Sequence, residues 1–214
     1  MSNLIISANE QGTPEWFVDR LGKATGSNAS AVIAQGRTKG SEATTRRNYR
    51  FQLSLQRITK KISEENFTNK HIERGNELEK FARMAYEIQS GNMIEEAGFC
   101  YQDGKQYGCS VDGFVDNRKG IIEIKCPIPA IHYEYIEENR VPPNYYAQVI
   151  HNILTTGAEY CDFISYNEDM PEKLKLFVFR FVPTKDELAA YEKALDQFLT
   201  EVDLLEQQIL EKAK

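Results

Sequence analysis

The stretch VDGFVDNRKGIIEIKCP, residues 111–127, carries charged side chains inside an apolar run. Glu123 and Lys125 stand two residues apart, so in a β-strand they project from the same face. Opposite charges on a half-buried face are costly to desolvate unless they serve a site. The turn signal NRKG separates this run from the preceding one, which contains Asp112. The sequence therefore predicts a hairpin that brings the Asp112 and Glu123 carboxylates side by side.

Two carboxylates at one point repel each other unless a cation lies there. Carboxylate and carbonyl oxygens are the ligands that Mg²⁺ and Mn²⁺ prefer, and Ile124 offers a carbonyl between the two charged residues. Lys125 would point to the same place and orient or help to deprotonate a water molecule. Such a set suits attack on a phosphodiester. From these residues alone, a turn at Asp112 with a Glu123–Lys125 ion pair on the neighbouring strand remains an alternative.

The rest of the chain predicts an α/β fold, with a central mixed β-sheet flanked by helices. Helical periodicity and capping signals predict helices at residues 44–62, 75–90 and 145–156 and from residue 185. Strand-like runs occupy residues 93–102, 107–116, 120–126, 160–167 and 174–182. We expect one domain over residues 1–214, with its core at about 13–182 and a long C-terminal helix at about 185–213.

Two of these helices have apolar stripes. In helix 75–90 the predicted buried stripe comprises Leu78, Phe81, Ala85 and Ile88, and Glu79 lies off that stripe. The last helix has an apolar seam with heptad spacing, formed by Leu188, Tyr191, Leu195, Phe198, Val202, Leu205 and Ile209. We expect this helix to pack along its own sheet rather than in an intermolecular coiled coil.

The net charge of −6 hides an uneven distribution. Residues 37–61 contain eight basic residues and one acidic residue, whereas residues 186–214 contain eight acidic residues and three basic ones. This asymmetry indicates either a face that binds a polyanion or a solvated basic helix.

The chain has 214 residues, with neither an apolar run of membrane-spanning length nor a signal-peptide pattern, so we expect a cytoplasmic protein without a membrane partner. Its four cysteines include no CxxC pair, and its three histidines have no metal-ligand spacing. These patterns argue against a zinc site and against a disulfide framework.

Five motifs in order resemble those of the phage lambda exonuclease (YqaJ-type viral recombinase) family, within the PD-(D/E)xK nuclease superfamily. They are EWFVDRLGKATGS (15–27), RGNELE (74–79), CSVDG (109–113), EIKCP (123–127) and YYAQV (145–149). The resemblance covers roughly residues 13–182 and implies a restriction-endonuclease-like core. Two positions depart from the family pattern: Val111 stands where many members have Pro, and Phe17 stands where His is common.

The resemblance also implies a catalytic centre, residue by residue. Asp112 and Glu123 become the metal-binding carboxylates, and the Ile124 carbonyl becomes an additional ligand. Lys125 becomes the catalytic lysine. Glu79, on the preceding helix, becomes a further carboxylate at the metal site, where it would complete the first ion's ligands or bridge to a second ion.

Further residues carry over with binding or positioning roles. Gln148 matches the glutamine whose amide would position the attacking water or Lys125. Arg20, Ser27 and Ser110 match the family's pocket for the 5′-phosphate, and a guanidinium and hydroxyl groups suit phosphate oxygens.

Two DNA contacts carry over less directly. Arg37 aligns with an arginine that tracks the duplex ahead of the active site. Ile72 aligns with an apolar wedge that parts the duplex end. From the sequence alone, Ile72 is also consistent with a core residue.

The resemblance implies a Mg²⁺-dependent, processive 5′→3′ exonuclease that digests linear double-stranded DNA to mononucleotides and leaves a 3′ single-stranded tail. Mn²⁺ would substitute for Mg²⁺, with two ions in each active site. A homotrimeric ring, a single-strand annealing protein as partner, and a phage or prophage origin in a bacterial host are also implied. The alternatives are another PD-(D/E)xK endonuclease or resolvase, and a non-catalytic DNA-binding module.

Overall fold

The computed structural model describes residues 3–38, 40–62 and 70–214, and the side chains of residues 70–76 lie outside that description. The helices of this part are α1 (Pro14–Arg20), α2 (Ala29–Ile33), α3 (Thr44–Thr59), α4 (Lys70–Ser90), α5 (Pro129–Glu138), α6 (Pro143–Thr156) and α7 (Lys185–Lys212). The strands are β1 (Leu4–Ile6), β2 (Ala24–Thr25), β3 (Cys100–Gln102), β4 (Tyr107–Cys109), β5 (Gly113–Val115), β6 (Gly120–Lys125), β7 (Tyr160–Tyr166) and β8 (Leu176–Phe181). None of the described helices is both long and apolar enough to cross a membrane.

The strands form two four-stranded mixed sheets, which confirms the predicted α/β class but divides the single expected sheet. The first sheet has the order β1-β3-β4-β2, and its β4 and β2 run parallel. The second has the order β5-β6-β7-β8, and its central pair, β6 and β7, is parallel. Because β6 and β7 are parallel, the chain between them crosses over through α5 and α6, which places α6 against the sheet.

The predicted strand at 107–116 is wrong as a single element. It breaks after Cys109, and β4 and β5 belong to different sheets. Residues 110–112 are the link that leaves one sheet and enters the other. Similarly, only Cys100–Gln102 of the predicted strand 93–102 joins a sheet, with an isolated bridge between Glu95 and Phe114.

Helix α4 buries a different face from the one predicted. Among its described side chains, Leu78, Ala82 and Tyr86 are buried at a spacing of four. Leu78 of the predicted stripe is thus confirmed, whereas Phe81 is 46% exposed and Ile88 is 84% exposed. The physical reason is polar: the Tyr86 hydroxyl donates to the buried Asp162 carboxylate at 2.7 Å, which an apolar stripe count does not anticipate. This rotation brings Glu79, one residue from Leu78, toward the carboxylates of the second sheet.

Helix α7 packs within its own chain, but mainly against helices rather than along the sheet. Its buried side chains join one cluster with α2, α3 and α6, and the ring of Phe198 stacks on that of Tyr49 with centroids 5.5 Å apart. A capping box of Thr184 and Glu187 fixes the start of α7. Neighbouring helices therefore cover most of the apolar seam of α7.

The basic segment and the acidic helix face each other, so part of the positive charge of residues 37–61 is neutralised within the chain. On α3, Arg46 donates to Glu201 of α7 at 2.5 and 3.1 Å, and Arg50 donates to the same carboxylate at 2.9 Å. Further along α3, Arg57 donates to Asp203 at 2.5 Å. Burial of the apolar face of α3 carries these arginines onto α7, where acidic residues neutralise them.

Helix α6 contributes a buried histidine, His151, which we expect to make folding pH-dependent. His151 is fully buried, with Nε2 2.9 Å from the Gly108 carbonyl and Nδ1 2.9 Å from the Tyr191 hydroxyl. Because a carbonyl only accepts, Nε2 carries the proton of the neutral ring. Burial lowers the pKa of His151 from 6.5 to about 4, although the hydrogen bond to Gly108 opposes the shift.

We therefore expect protonation of the unfolded state to destabilise the fold below pH 6.5. Because the pKa of His151 is lower in the folded protein than in the unfolded chain, the histidine leaves the free energy of unfolding at its full value above pH 6.5. As the pH falls from 6.5 toward 4, protonation of the unfolded chain lowers that free energy. Between pH 7 and pH 5 the unfolding free energy should fall by about 2 kcal/mol from His151 alone. Urea titrations of wild type and His151→Gln measure it: the wild-type loss should exceed the variant's by that amount, and parallel curves would contradict the assignment.

Candidate active site

Strand β6 presents Glu123 and Lys125 on one face, as the two-residue spacing predicts. The Lys125 ammonium donates to Glu123 Oε1 at 2.5 Å, and only 2% of the Glu123 side chain is exposed. Ile122 and Ile124 point to the opposite face, into a cluster with Ala82 and Tyr86 of α4. The apolar residues bury one face of the strand, and the charged pair lies on the other, beneath α6.

Asp112 lies in the link between the sheets and takes the place of a strand partner for β6. Its N–H donates to the Ile122 carbonyl at 3.3 Å, and its Oδ2 accepts from the Ile124 N–H at 2.6 Å. The N–H and carbonyl of one strand residue point to the same side. The Ile124 carbonyl therefore faces the side of the strand on which Asp112 lies, as expected for a third oxygen donor.

Helix α6 clamps Glu123 with two amides one turn apart. Gln148 Nε2 donates to Oε1 at 2.7 Å, and Asn152 Nδ2 donates to Oε2 at 3.0 Å. The structure thus brings the predicted Gln148 onto the predicted carboxylate. Asn152 was missed by the sequence reasoning, although its i+4 spacing from Gln148 places both amides on one helix face.

Burial and a neighbouring carboxylate both act on the pKa of Asp112. Burial, followed by the Glu123 charge, raises the pKa of Asp112 to about 6, while Lys125 and the Ile124 N–H oppose the shift. Burial lowers the pKa of Lys125, but the charges of Glu123 and Asp112 and its bond to Glu123 outweigh burial and raise it above its usual range. A centre in which negative charge is concentrated in this way favours a cation.

Glu79 lies near this centre but is held by a neighbour on its own helix. Arg83 donates to Glu79 Oε1 at 2.6 and 3.1 Å. Burial, followed by the Asp112 charge, raises the pKa of Glu79, and Arg83 opposes the shift. Across the described ranges, no three His, Cys, Asp or Glu side chains lie together as a metal-binding group.

The residues present nevertheless fit a hard divalent cation. Oε1 of Glu123 already accepts from Lys125 and Gln148, whereas Asn152 is the one donor to Oε2 among the described contacts, so Oε2 retains a lone pair. The second oxygen of Asp112 and the Ile124 carbonyl add oxygen donors on the same side. Such donors select Mg²⁺ or Mn²⁺ over softer metals.

Next to this centre, the structure brings Arg20, Ser27 and Ser110 together. Arg20 Nη1 donates to Ser110 Oγ at 3.2 Å and Nη2 donates to Ser27 Oγ at 3.3 Å. Trp16 supports the group from below: its Nε1 donates to Ser110 Oγ at 3.0 Å, and the guanidinium lies 4.1 Å from its ring centroid. These contacts aim the guanidinium at two hydroxyls.

Arg20 is a half-buried cation with no carboxylate partner in the described part of the chain. Burial lowers the pKa of its guanidinium, which records the cost of removing the charge from water. A desolvated guanidinium beside hydroxyl groups is typical of a site that receives an anion.

The sequence also predicts two DNA contacts, at Arg37 and Ile72. Arg37 is exposed in the loop that the Gln35–Glu42 bridge closes, and the structure places it in no cluster. Ile72 falls among the residues whose side chains lie outside the description, so its role stays a prediction.

Comparison with known proteins identifies the relatives of this chain. The sequence model of the YqaJ-like viral recombinase domain matches residues 15–159, which is more than half of the chain. The chain belongs to the YqaJ-like viral recombinase family. The matched range contains every residue of the carboxylate centre and of the arginine–serine group, and the resemblance seen in the sequence is confirmed.

Solved structures support the same assignment. An alkaline exonuclease (LHK-Exo) from Laribacter hongkongensis is 33% identical to the YqaJ-like chain, with 94% of this chain and 98% of that one covered and a TM-score of 0.84; a complex of LHK-Exo with dAMP matches equally. A phage-related exonuclease from Haemophilus somnus 129PT shares the fold, with 14% identity, 87% and 96% coverage and a TM-score of 0.70. A search of curated proteins found no match. Membership of this family and the 33% identity to an alkaline exonuclease support a nuclease role for the chain.

Proposed function

We propose that this protein is a Mg²⁺-dependent, processive 5′→3′ exonuclease of linear double-stranded DNA that releases 5′-mononucleotides and leaves a 3′ single-stranded tail. One observation carries the proposal: the three-residue link between the sheets holds Ser110 of the arginine–serine group and Asp112 of the carboxylate centre. The proposed pocket for a terminal phosphate would therefore lie beside the proposed centre for phosphodiester hydrolysis. That juxtaposition favours an enzyme that begins at a 5′ end.

The chain's own residues prepare the reaction. Asp112, Glu123 and the Ile124 carbonyl would hold the cation, which supplies Lewis-acid stabilisation of the phosphate charge. The Lys125 ammonium, 5.0 Å from the Tyr145 ring centroid, adds positive charge beside the carboxylates. Gln148 fixes Glu123 and presents an amide at the centre, where it orients the attacking water.

Two ions in each active site, with Mn²⁺ able to replace Mg²⁺, form part of the proposal. The pair of Asp112 and Glu123 supports a first ion. A second ion would need the Glu79 side chain to turn from Arg83 toward Asp112. The charge of Asp112 already contributes to the raised pKa of Glu79, after burial. Calorimetric titration of the folded protein with Mn²⁺ measures the number of sites, and Glu79→Gln should remove one of them.

The arginine–serine group is proposed to bind the 5′-phosphate of the strand that is digested. The related LHK-Exo has been crystallised with dAMP, a nucleoside 5′-monophosphate of the kind that this reaction would release. Ser27 is exposed, so the group is open to a ligand, and Arg20 offers a fork of donors to phosphate oxygens.

We expect Arg20→Met to slow digestion of 5′-phosphorylated duplex by about 10- to 100-fold, because a charge-assisted hydrogen-bonding pair is lost. Digestion from a 5′-hydroxyl end should change much less. Arg20→Lys should fall between wild type and Arg20→Met, since lysine keeps the charge without the fork. The exposed Arg118, paired with Glu95, supplies the matched control Arg118→Met. Equal losses on both kinds of end would contradict the pocket.

A homotrimeric ring would account for processivity, because DNA threaded through a closed ring does not dissociate between steps. The large apolar side chains exposed on one face of α4, Phe81, Met84 and Ile88, are consistent with a surface that another chain covers. Three arginines of α3 are engaged by α7, so a DNA channel would rely on exposed cations such as Arg37 and Arg47. Sedimentation equilibrium measures the number of subunits.

A phage-type single-strand annealing protein is the proposed recipient of the 3′ tail. The acidic helix α7 is a candidate docking surface for this partner, but its Glu201 and Asp203 are already bound by α3. A docking site on α7 would therefore use the acidic residues that remain exposed, such as Asp196 and Glu211.

Closed circular and linear duplexes distinguish the proposed function from its alternatives. The exonuclease should digest the linear form in Mg²⁺, leave closed circles intact, and stop when EDTA is added. Cutting of closed circles would indicate an endonuclease or resolvase. Retention of both forms in a binding assay, without any cleavage in Mg²⁺ or Mn²⁺, would indicate a non-catalytic DNA-binding module.

A further inference from the structure

The side-chain amide of Asn152 forms a hydrogen bond through its nitrogen but not through its oxygen among the described residues. Its Nδ2 donates to Glu123 Oε2, while its buried Oδ1 has no hydrogen-bond partner among the described residues. Only 1% of the residue is exposed. Buried acceptors are nearly always hydrogen-bonded. The unpaired oxygen therefore indicates that this amide is not placed here to complete its own hydrogen bonds.

The orphaned oxygen lies against Gly26, in the segment that carries Ser27. A Cβ built on Gly26 would come within 2.1 Å of Asn152 Oδ1, so the amide oxygen occupies the space of a side chain at residue 26. The φ angle of Gly26 is not in the left-handed region. Glycine is thus required at this position by the close approach of Asn152 and not by its backbone conformation.

These contacts form a short path between the two halves of the site. Ser27 is bonded to Arg20 and follows Gly26; Gly26 contacts Asn152; and Asn152 is bonded to Glu123. If the Asn152 amide moved away from Gly26, its hydrogen bond to the Glu123 carboxylate would weaken. A displacement on one side is therefore transmitted to the other.

We propose that Asn152 is a positioning residue that fixes the register between the 5′-phosphate pocket and the metal-binding carboxylate. That register sets which phosphodiester, counted from the 5′ end, lies at the carboxylates, and so makes the product one nucleotide long. The inference rests on the proposed function, since it needs a pocket that holds the terminal phosphate.

A double-mutant cycle on Gly26 and Asn152 tests the coupling. Gly26→Ala adds a methyl group where Oδ1 lies, and Asn152→Ala vacates that space. We expect each single variant to lower the preference for 5′-phosphorylated over 5′-hydroxyl duplex about tenfold and to release some dinucleotide. The double variant should lose no more than Asn152→Ala alone, because the added methyl group no longer meets Oδ1.

The control is Thr156→Ala, which removes hydroxyl contacts to the helix's own Asn152 and Ile153 carbonyls and to the Ala158 N–H, and touches neither Gly26 nor Glu123. Urea denaturation confirms that each variant is folded. Unchanged end preference and product length in folded Asn152→Ala would overturn the inference even if Gly26→Ala does not fold. Additive effects of the two changes would overturn it as well.

The wild-type enzyme separates this inference from the proposed function. Equal digestion of phosphorylated and hydroxyl ends by wild type would overturn the pocket, and the inference with it. A clear wild-type preference that survives Asn152→Ala would overturn the inference alone and leave the proposed function standing.

Discussion

Asp112→Asn and Glu123→Gln will each reduce cleavage of linear duplex DNA in Mg²⁺ by about 1,000-fold or more, since each removes a charge that holds the cation. Both substitutions keep the shape of the side chain. The amide oxygen that Asp112→Asn introduces can still accept from the Ile124 N–H, so the link between the sheets should remain in place. Steady-state digestion with increasing Mg²⁺ measures the loss, and the half-saturating Mg²⁺ concentration should rise.

The same Asp112 substitution should not cost stability. Burial and Glu123 raise the pKa of Asp112 to about 6, so the ionised carboxylate opposes folding at pH 7. Asp112→Asn removes that charge and should raise the unfolding free energy by about 1 kcal/mol or more in the absence of metal. Asp103→Asn, the same chemical change in an exposed turn, is the matched control. An Asp112→Asn protein with near-wild-type activity would remove Asp112 from the centre.

Lys125→Met is expected to have the second largest effect, a loss of about 100- to 10,000-fold in the maximal rate. The Lys125 ammonium lies against Glu123, so its removal takes positive charge from the place where the phosphate reacts. Lys125→Arg should recover part of the rate. Because a cation that competes for Glu123 is lost, Mg²⁺ should bind Lys125→Met as tightly as wild type or more tightly.

This metal dependence distinguishes the lysine from the carboxylates. Loss of a ligand raises the Mg²⁺ requirement, whereas loss of the ammonium lowers the rate at saturating Mg²⁺. Lys119→Met, at an exposed turn position, serves as the control. If extra Mg²⁺ restored the rate of Lys125→Met, the lysine would act only on metal binding and the proposed role in the reaction would be wrong.

The sequence was sufficient for the parts of the site that depend on local geometry. The spacing of Glu123 and Lys125 determines that they share a strand face, and the turn NRKG determines that Asp112 returns to them. The α/β class also follows from the order of helical and strand-like runs. These features need only backbone periodicity and turn chemistry.

The missed features depend on tertiary contacts. Nothing local in residues 107–116 shows that Ser110 and Asp112 fall between two sheets, because the apolar pattern continues on both sides of the break. The buried face of α4 was misjudged because Tyr86 reaches a buried carboxylate that lies 76 residues away. The sequence does not mark Asn152 as a site residue until Gln148, one helical turn away, is known to contact Glu123.

A duplex that carries a 5′-phosphate and a different label at each end of one strand tests the account most directly. In Mg²⁺, wild-type protein should release the 5′ label first, as a mononucleotide, while the 3′ label stays on a shortening strand; Asp112→Asn should release neither. Early release of the 3′ label would contradict a 5′→3′ exonuclease whose reaction depends on Asp112. Cleavage at internal sites, with both labels appearing on longer fragments, would contradict it as well.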